Sequence, residues 1–335
     1  MRRARCSSRW VRATSRASRV CRTSSPSLAS RPLGFSDRAH PVIRRLAFPW
    51  AALLALAACG KADPPPGFET PPSPALFEVS APGGAVEGWM FGTIHSLPDG
   101  VDWETEALEG VLSRADLLVV EVRDLDDASG LRKAFADRAY TADQPPLAEK
   151  VPDAIRGDLL AVLAEHDIIA DRFGDMETWA AALTLAQYAE TGEAANGVDR
   201  TLLARIPREK TVELEGAARQ LDVFDRLPEA EQRDLLAAVI ANMTRQDQDP
   251  MRHAADWYAG RIEHLADPAT SAILADAELR EALYAGRNRR WADRLVALLG
   301  REPRPLVAVG SAHLAGEDGL PALLAARGYT VRRIQ

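Results

Sequence analysis

Two short runs hold the residues best suited to chemistry. Phe91-Gly92-Thr93-Ile94-His95 and Val309-Gly310-Ser311-Ala312-His313 each end an apolar stretch in G-x-x-H, and more than two hundred residues separate them. A histidine just past the end of a buried strand stands where an open α/β sheet binds its ligands. The glycine ahead of it lets the backbone turn tightly or approach a ligand closely. Two carboxylates repeat this placement, because Glu121 interrupts the apolar run at 117–122 near its end and Glu215 closes 211–215. Two histidines with a carboxylate are a common way to hold Zn²⁺ or Mn²⁺ with one position open for water. The metal would lower the pKa of that water and polarise a carbonyl, and a second carboxylate would serve as general base. The same residues admit metal-free hydrolysis with His95 and Glu121 as an acid–base pair, or structural histidines in a domain that binds without turnover.

Other catalytic templates are missing from the sequence. There is no G-x-S-x-G and no H-E-x-x-H, no P-loop, and no G-x-G-x-x-G after a strand. His166, His253 and His264 sit in polar, helix-like surroundings and are expected at the surface. His253 and Asp256 have the i, i+3 spacing of a metal pair, but a solvated helix face is the favoured reading.

The elements that must position these residues can be read from hydrophobic periodicity. Residues 76–80 and 85–94 read as strands around the Pro82-Gly83-Gly84 turn, and the second strand delivers His95. A helix is expected over 104–114. The continuous apolar run 117–122 suits a strand covered on both faces. From 131 to 205 the pattern is helical, with Ile155, Leu159, Leu160, Val162 and Leu163 in one buried stripe and Trp179, Leu183, Leu185 and Tyr188 in another. A short strand at 211–215 precedes a helical block over 229–299, broken at Pro250 and Pro268. The chain closes with a strand at 306–309, a turn bearing His313, a helix at 320–327 capped by Gly328, and a strand at 329–334. The expected fold is α/β (α+β), with a central sheet built from the N- and C-terminal segments and a large helical insertion between them.

Composition narrows the function. The 335 residues carry a net charge of −7, but the first 58 hold twelve arginines and a single acid, Asp37. Beyond them stand 29 basic and 47 acidic residues, a net of −18. Such a surface does not neutralise phosphates, so nucleic acid is not an expected partner.

The N-terminal region reads as an export signal. Arg44-Arg45 precede the apolar stretch 46–58, which is too short to span a membrane but right for a signal peptide. It ends in Leu56-Ala57-Ala58-Cys59, similar to a bacterial lipobox, so Cys59 is the expected lipidation site. Gly60 after the cysteine fits sorting to the outer membrane, facing the periplasm. Residues 1–41 resemble no signal and are read as a start placed too early or a disordered extension. The prolines of 60–74 make a tether, and 75–335 form the folded domain. With Cys6, Cys21 and Cys59 all ahead of that domain, disulfides and thiolate metal sites are excluded from it.

Four stretches together resemble the TraB/GumN family, which includes pheromone-shutdown proteins and is related to the Tiki metalloproteases. They are Phe91 through His95; the run at 117–122 with Glu121; Leu214-Glu215 followed by Gln220 and Leu221; and Val309-Gly310-Ser311-Ala312-His313-Leu314-Ala315-Gly316-Glu317-Asp318-Gly319-Leu320. Gly197-Val198-Asp199 and Arg287-Asn288 fall where that family has similar residues, and Gly216 replaces an expected hydroxyl residue. The resemblance covers about 76–335. It implies a site of His95, Glu121 and His313, supported by Glu215 and Arg287. It further implies a divalent metal (Mn, Zn or Co) on His95, His313 and Glu121, with Arg287 stabilising an oxyanion. The implied activity is hydrolysis of an amide bond in a peptide or envelope component. A module that sequesters such a component without cleaving it is the alternative.

Overall fold

Alternation along the strands sorts their side chains onto two apolar faces. Trp89 and Phe91 of β2 (Val86–Thr93), Leu118 and Val120 of β3 (Leu117–Val120), and Leu306 and Ala308 of β5 (Pro305–Gly310) share one face. Met90, Val119, Val307 and Val309 share the other. Both faces are covered by helices, as continuous apolar runs require. The structure is a computed structural model, and the residues described are 65–335 except 190, 246–248, 250 and 302.

With β1 (Leu76–Ser80), β4 (Thr211–Glu213) and β6 (Thr330–Arg333), the strands form one sheet in the order β4-β3-β5-β2-β1-β6. The β1–β2 hairpin is antiparallel around the expected turn, and β6 adds antiparallel to β1. Strands β2, β5, β3 and β4 run parallel, with Thr93 beside Gly310 and Val120 beside both Ala308 and Glu213. Their C-terminal ends therefore meet on one edge of the sheet, and His95, His313, Glu121 and Glu215 all follow directly. This is the edge where open α/β sheets bind ligands.

Helix α1 (Glu106–Leu112) is shorter than expected because Thr105 caps it, accepting from Leu108 N–H at 3.2 Å. The insertion then contributes α2 (Ala128–Ala139), α3 (Arg156–Glu165), α4 (Thr178–Ala189), α5 (Val198–Arg205), α6 (Ala217–Asp225) and α7 (Glu229–Met243). Helices α3, α4 and α7 pack around a separate core of Leu159, Trp179, Leu185, Leu235, Leu236 and Ile240. Two stripe residues depart from expectation, since Leu160 is 56% and Tyr188 38% exposed at the margin of that core. The chain continues through α8 (Arg252–Tyr258), α9 (Ile262–Leu265), α10 (Ala272–Ala275), α11 (Ala277–Arg280), α12 (Gly286–Leu298) and α13 (Leu320–Ala325). Helices α1, α5 and α8 cover the Trp89 face, and α12 and α13 cover the Met90 face. A wide π-type turn over Glu281–Ala285 leads into α12.

The expected signal peptide, the lipidation site Cys59 and residues 1–41 lie outside the described residues. Among the described residues no helix is long and apolar enough to cross a membrane.

Candidate active site at the sheet edge

Backbone packing delivers His95. A Cβ on Gly92 would collide with the Ser311 hydroxyl, which donates to Thr93 O at 3.1 Å and ties the two motifs together. Trp257 Nε1 donates to Gly92 O at 2.9 Å, locking the same point from α8. Gly92→Ala is therefore expected to destabilise the fold by about 1–3 kcal/mol through overpacking. Urea unfolding of Gly92→Ala, Ser311→Gly and the double variant checks this, with positive coupling expected in the cycle.

His95 is held by a residue that stripe and motif reading left unassigned. Asp199 is buried on α5 and accepts from Thr93 Oγ1 at 2.7 Å. Its other oxygen lies 2.8 Å from His95 Nδ1. A carboxylate accepts, so Nδ1 carries the proton and the Nε2 lone pair belongs to the outer side of the ring. The His95 side chain is 67% exposed. Gly197 makes the approach of α5 feasible, because a Cβ there would strike the His95 carbonyl. Its place in Gly197-Val198-Asp199, an acid in the first turn of a helix, was the available signal. Asp199→Asn is expected to weaken any metal binding by about 10–100-fold and to disturb the His95 tautomer, which ¹⁵N NMR of the imidazole reads directly.

Glu121 and Arg287 form the buried centre. Glu121 Oε1 accepts from Gly310 N–H at 2.9 Å, and Oε2 accepts from Gln220 Nε2 at 3.1 Å and Arg287 Nη2 at 2.8 Å. Burial alone would raise this carboxyl. The charges of His313, Arg287 and His95, with the Gly310 N–H, outweigh burial and hold it at about 2. Arg287 also binds Glu215 through Nε at 3.1 Å and Nη2 at 2.9 Å, and its guanidinium lies 4.6 Å from the Trp291 ring centre. Its Nη1 faces Leu283 O at 3.3 Å and His313 Nε2 at 3.4 Å. Every donor of the fork is thus directed at a protein acceptor, so an oxyanion could take only what Nη1 gives up. Gly216, where a hydroxyl residue was expected, has φ 79° and a Cβ there would press on the Glu213 carboxylate. Only glycine suits that turn.

His313 is enclosed, 8% exposed, between Tyr284 at 5.5 Å and Trp291 at 4.5 Å between ring centres. Its Nδ1 lies 2.6 Å from Asn288 Oδ1, and Asn288 Nδ2 donates to Asp318 O at 2.8 Å. The second bond orients the amide, so Nδ1 is again the protonated nitrogen. Burial first, then Arg287 and His95, push this imidazole down to about 4 against the pull of Glu121. It is neutral in the physiological range, the state of a base or a ligand.

His95, Glu121, Arg287 and His313 line one cavity of about 330 Å³, and His253 joins them. His253 is exposed, as expected, but the expectation of a solvated helix face fails for Asp256. Asp256 is buried, bound to Arg261 Nε at 2.6 Å. His253 is accessible to solvent, yet burial, the main cause, and His95 lower its pKa against Asp256. His264 is exposed as expected, and His166 is half-buried against Tyr188.

The two imidazoles share one feature of metal ligands, although His313 Nε2 faces Arg287 Nη1. Each has Nδ1 tied to an oxygen acceptor, the outer-shell arrangement that fixes a ligating histidine. The buried carboxylates Glu121, Glu215 and Asp199 outnumber the one buried guanidinium among them. Glu121 differs, since all its hydrogen bonds go to protein donors. Among the described residues no three His, Cys, Asp or Glu side chains are gathered closely enough to share an ion.

The chain was compared with known proteins. The TraB/PrgY/gumN family description matches residues 75–333. The uncharacterized protein YbaP of Shigella flexneri is 27% identical over 263 residues, 75% of this chain and 92% of that protein. YbaP of Escherichia coli K12 is 28% identical over 224 residues, 64% of this chain and 78% of that protein. No solved structure gives a significant match. The family match takes in both G-x-x-H motifs, Glu121, Glu215 and Arg287, and the chain belongs to the TraB/PrgY/gumN family.

Proposed function

We propose that this protein is a metal-dependent hydrolase of amide bonds in a peptide or an envelope component, with His95 and His313 as its metal ligands. The observation that carries the reading is the matched anchoring of the two imidazoles. Asp199 at 2.8 Å and Asn288 at 2.6 Å each bind Nδ1 of a histidine lining the same cavity. A bound Zn²⁺, Mn²⁺ or Co²⁺ would polarise the scissile carbonyl and acidify a water.

The chain's own residues do the rest. Asp199 and Asn288 orient the rings, and Glu121 supplies a fixed buried negative charge. Held at about 2, Glu121 is too weak a proton acceptor to serve as base near neutrality. Arg287 keeps Glu121 and Glu215 in place. His253 is the remaining titratable group in the cavity able to pass a proton to the departing amine.

Incubation with peptide mixtures, read by mass spectrometry, tests the proposal. Cleavage that requires added metal and disappears in His95→Ala supports it, and absence of cleavage with each of the three metals contradicts it. A metal-free reading has one observation in its favour, the His95–Asp199 pair, which resembles a base with its orienting carboxylate. Cleavage that survives chelation selects that reading. The lipid anchor at Cys59 and an outer-membrane, periplasm-facing location belong to the same proposal, and mass analysis of the N-terminal peptide tests them.

A further inference from the structure

The cavity at the sheet edge does not stand alone. A larger one, about 550 Å³, shares Ile94, His253 and Leu265 with it. A substrate whose scissile amide lies by His95 and His313 is thus led past His253 into the larger space. Two polar groups there are candidates to meet a ligand. The Asn242 amide oxygen is buried without a hydrogen bond, an acceptor suited to a peptide N–H. Arg252 precedes His253 by one residue, and its one ionic contact among the described residues is loose, Nε to Asp256 Oδ2 at 3.7 Å.

Among the described residues, most of the surrounding charges have other partners. Asp256 is already bound to Arg261 at 2.6 Å, with His264 at 3.5 Å. Asp249 accepts from Met251 N–H at 2.9 Å. Arg245 donates to Thr270 O at 2.8 Å. Glu165, on the same lining, forms no ion pair among the described residues. Neither Nη group of Arg252 has a hydrogen bond among the described residues, and a planar guanidinium is matched to a carboxylate, which it can bind bidentately.

We infer that the larger cavity is the specificity subsite for a peptide and that Arg252 reads a carboxylate on it. The inference rests on the peptide-hydrolase reading for the kind of substrate, but its test is separate from turnover. The carboxylate can come from an acidic side chain or from the C-terminus of the peptide.

The test is fluorescence anisotropy on the full chelated protein, using dye-labelled peptides of one sequence. Three carry Glu, Gln or Lys at one central position with an amidated C-terminus, and a fourth carries Gln with a free C-terminal carboxylate. One of the carboxylate-bearing peptides is expected to bind about tenfold tighter than the amidated Gln peptide, the scale of one charge-assisted pair. Which of the two does so identifies the source. Arg252→Gln is expected to abolish the preference, and Arg252→Glu to transfer it to the Lys peptide. Arg252 is half exposed on its helix, so both variants keep the fold. Equal affinities for all four peptides, or a preference that survives Arg252→Gln, overturn the inference. An Arg252-dependent preference without cleavage in any metal sinks the hydrolase reading alone. Cleavage without a preference sinks the subsite alone.

Discussion

Arg287→Met is expected to lower the unfolding free energy by about 3–5 kcal/mol, the cost of leaving a buried charge without its partner. The reason is the two-to-one arrangement at the sheet edge. Arg287 bridges Glu121 at 2.8 Å and Glu215 at 2.9 Å, and all three side chains are under 10% exposed. Methionine fills a similar volume, so the loss reports charge and hydrogen bonds rather than a cavity. Urea unfolding at neutral pH measures it. The triple variant Arg287→Met, Glu121→Gln, Glu215→Gln should recover much of the loss, because its buried groups are no longer charged. A loss under about 1 kcal/mol in the single variant would mean that water reaches both carboxylates, contrary to their burial.

The second large effect is acid lability of the metal-stripped protein. His313 falls from its ordinary 6.5 to about 4 in the fold, so between those values the unfolded chain binds the proton and the folded chain does not. Stability is then fully present above about 6.5 and is lost as the pH falls toward 4. At about 1.4 kcal/mol per pH unit, the loss is on the order of 3 kcal/mol. Glu121 moves from 4.5 to about 2, so its contribution is present above 4.5 and disappears as the pH falls toward 2. Unfolding midpoints taken between about pH 8 and pH 3 should decline in two overlapping stages. His313→Gln should flatten the first and also weaken the second, because the His313 charge is among those that hold Glu121 down. A midpoint constant from about pH 7 to 4.5 in the unsubstituted protein would contradict this account of the His313 environment.

The parallel part of the sheet was legible because its signal is local. The apolar runs before His95, Glu121, Glu215 and His313 are all strands, and each ends on the same edge. Twofold alternation and glycine placement fix a strand's end without knowledge of its neighbours. The partners of the histidines were not legible in the same way. Asp199 meets His95 across 104 residues of sequence. Gly197-Val198-Asp199 and Arg287-Asn288 stood out only as resemblances, and nothing local says that Asp199 and Asn288 would each hold a ring nitrogen. That the exposed His253 lines the cavity was hidden for a related reason. A short polar helix reads as solvated, and nothing local reveals that its neighbour Trp257 reaches Gly92 O and brings α8 against the motif. Asp256, on the same helix, was drawn inward by Arg261, which follows five residues later beyond the helix end. Leu160 and Tyr188 fail in the opposite direction, as apolar residues at helical spacing that the separate insertion core leaves at its rim.

In the proposed function, two G-x-x-H motifs at opposite ends of the domain make one metal site. The most direct measurement is metal content by elemental analysis, on protein without a histidine tag, after incubation with Mn²⁺, Zn²⁺ or Co²⁺ and removal of excess. About one ion per chain is expected, lost in both His95→Ala and His313→Gln, as two ligands on one ion require. No bound metal in the unsubstituted protein, or full retention when either histidine is replaced, would contradict it.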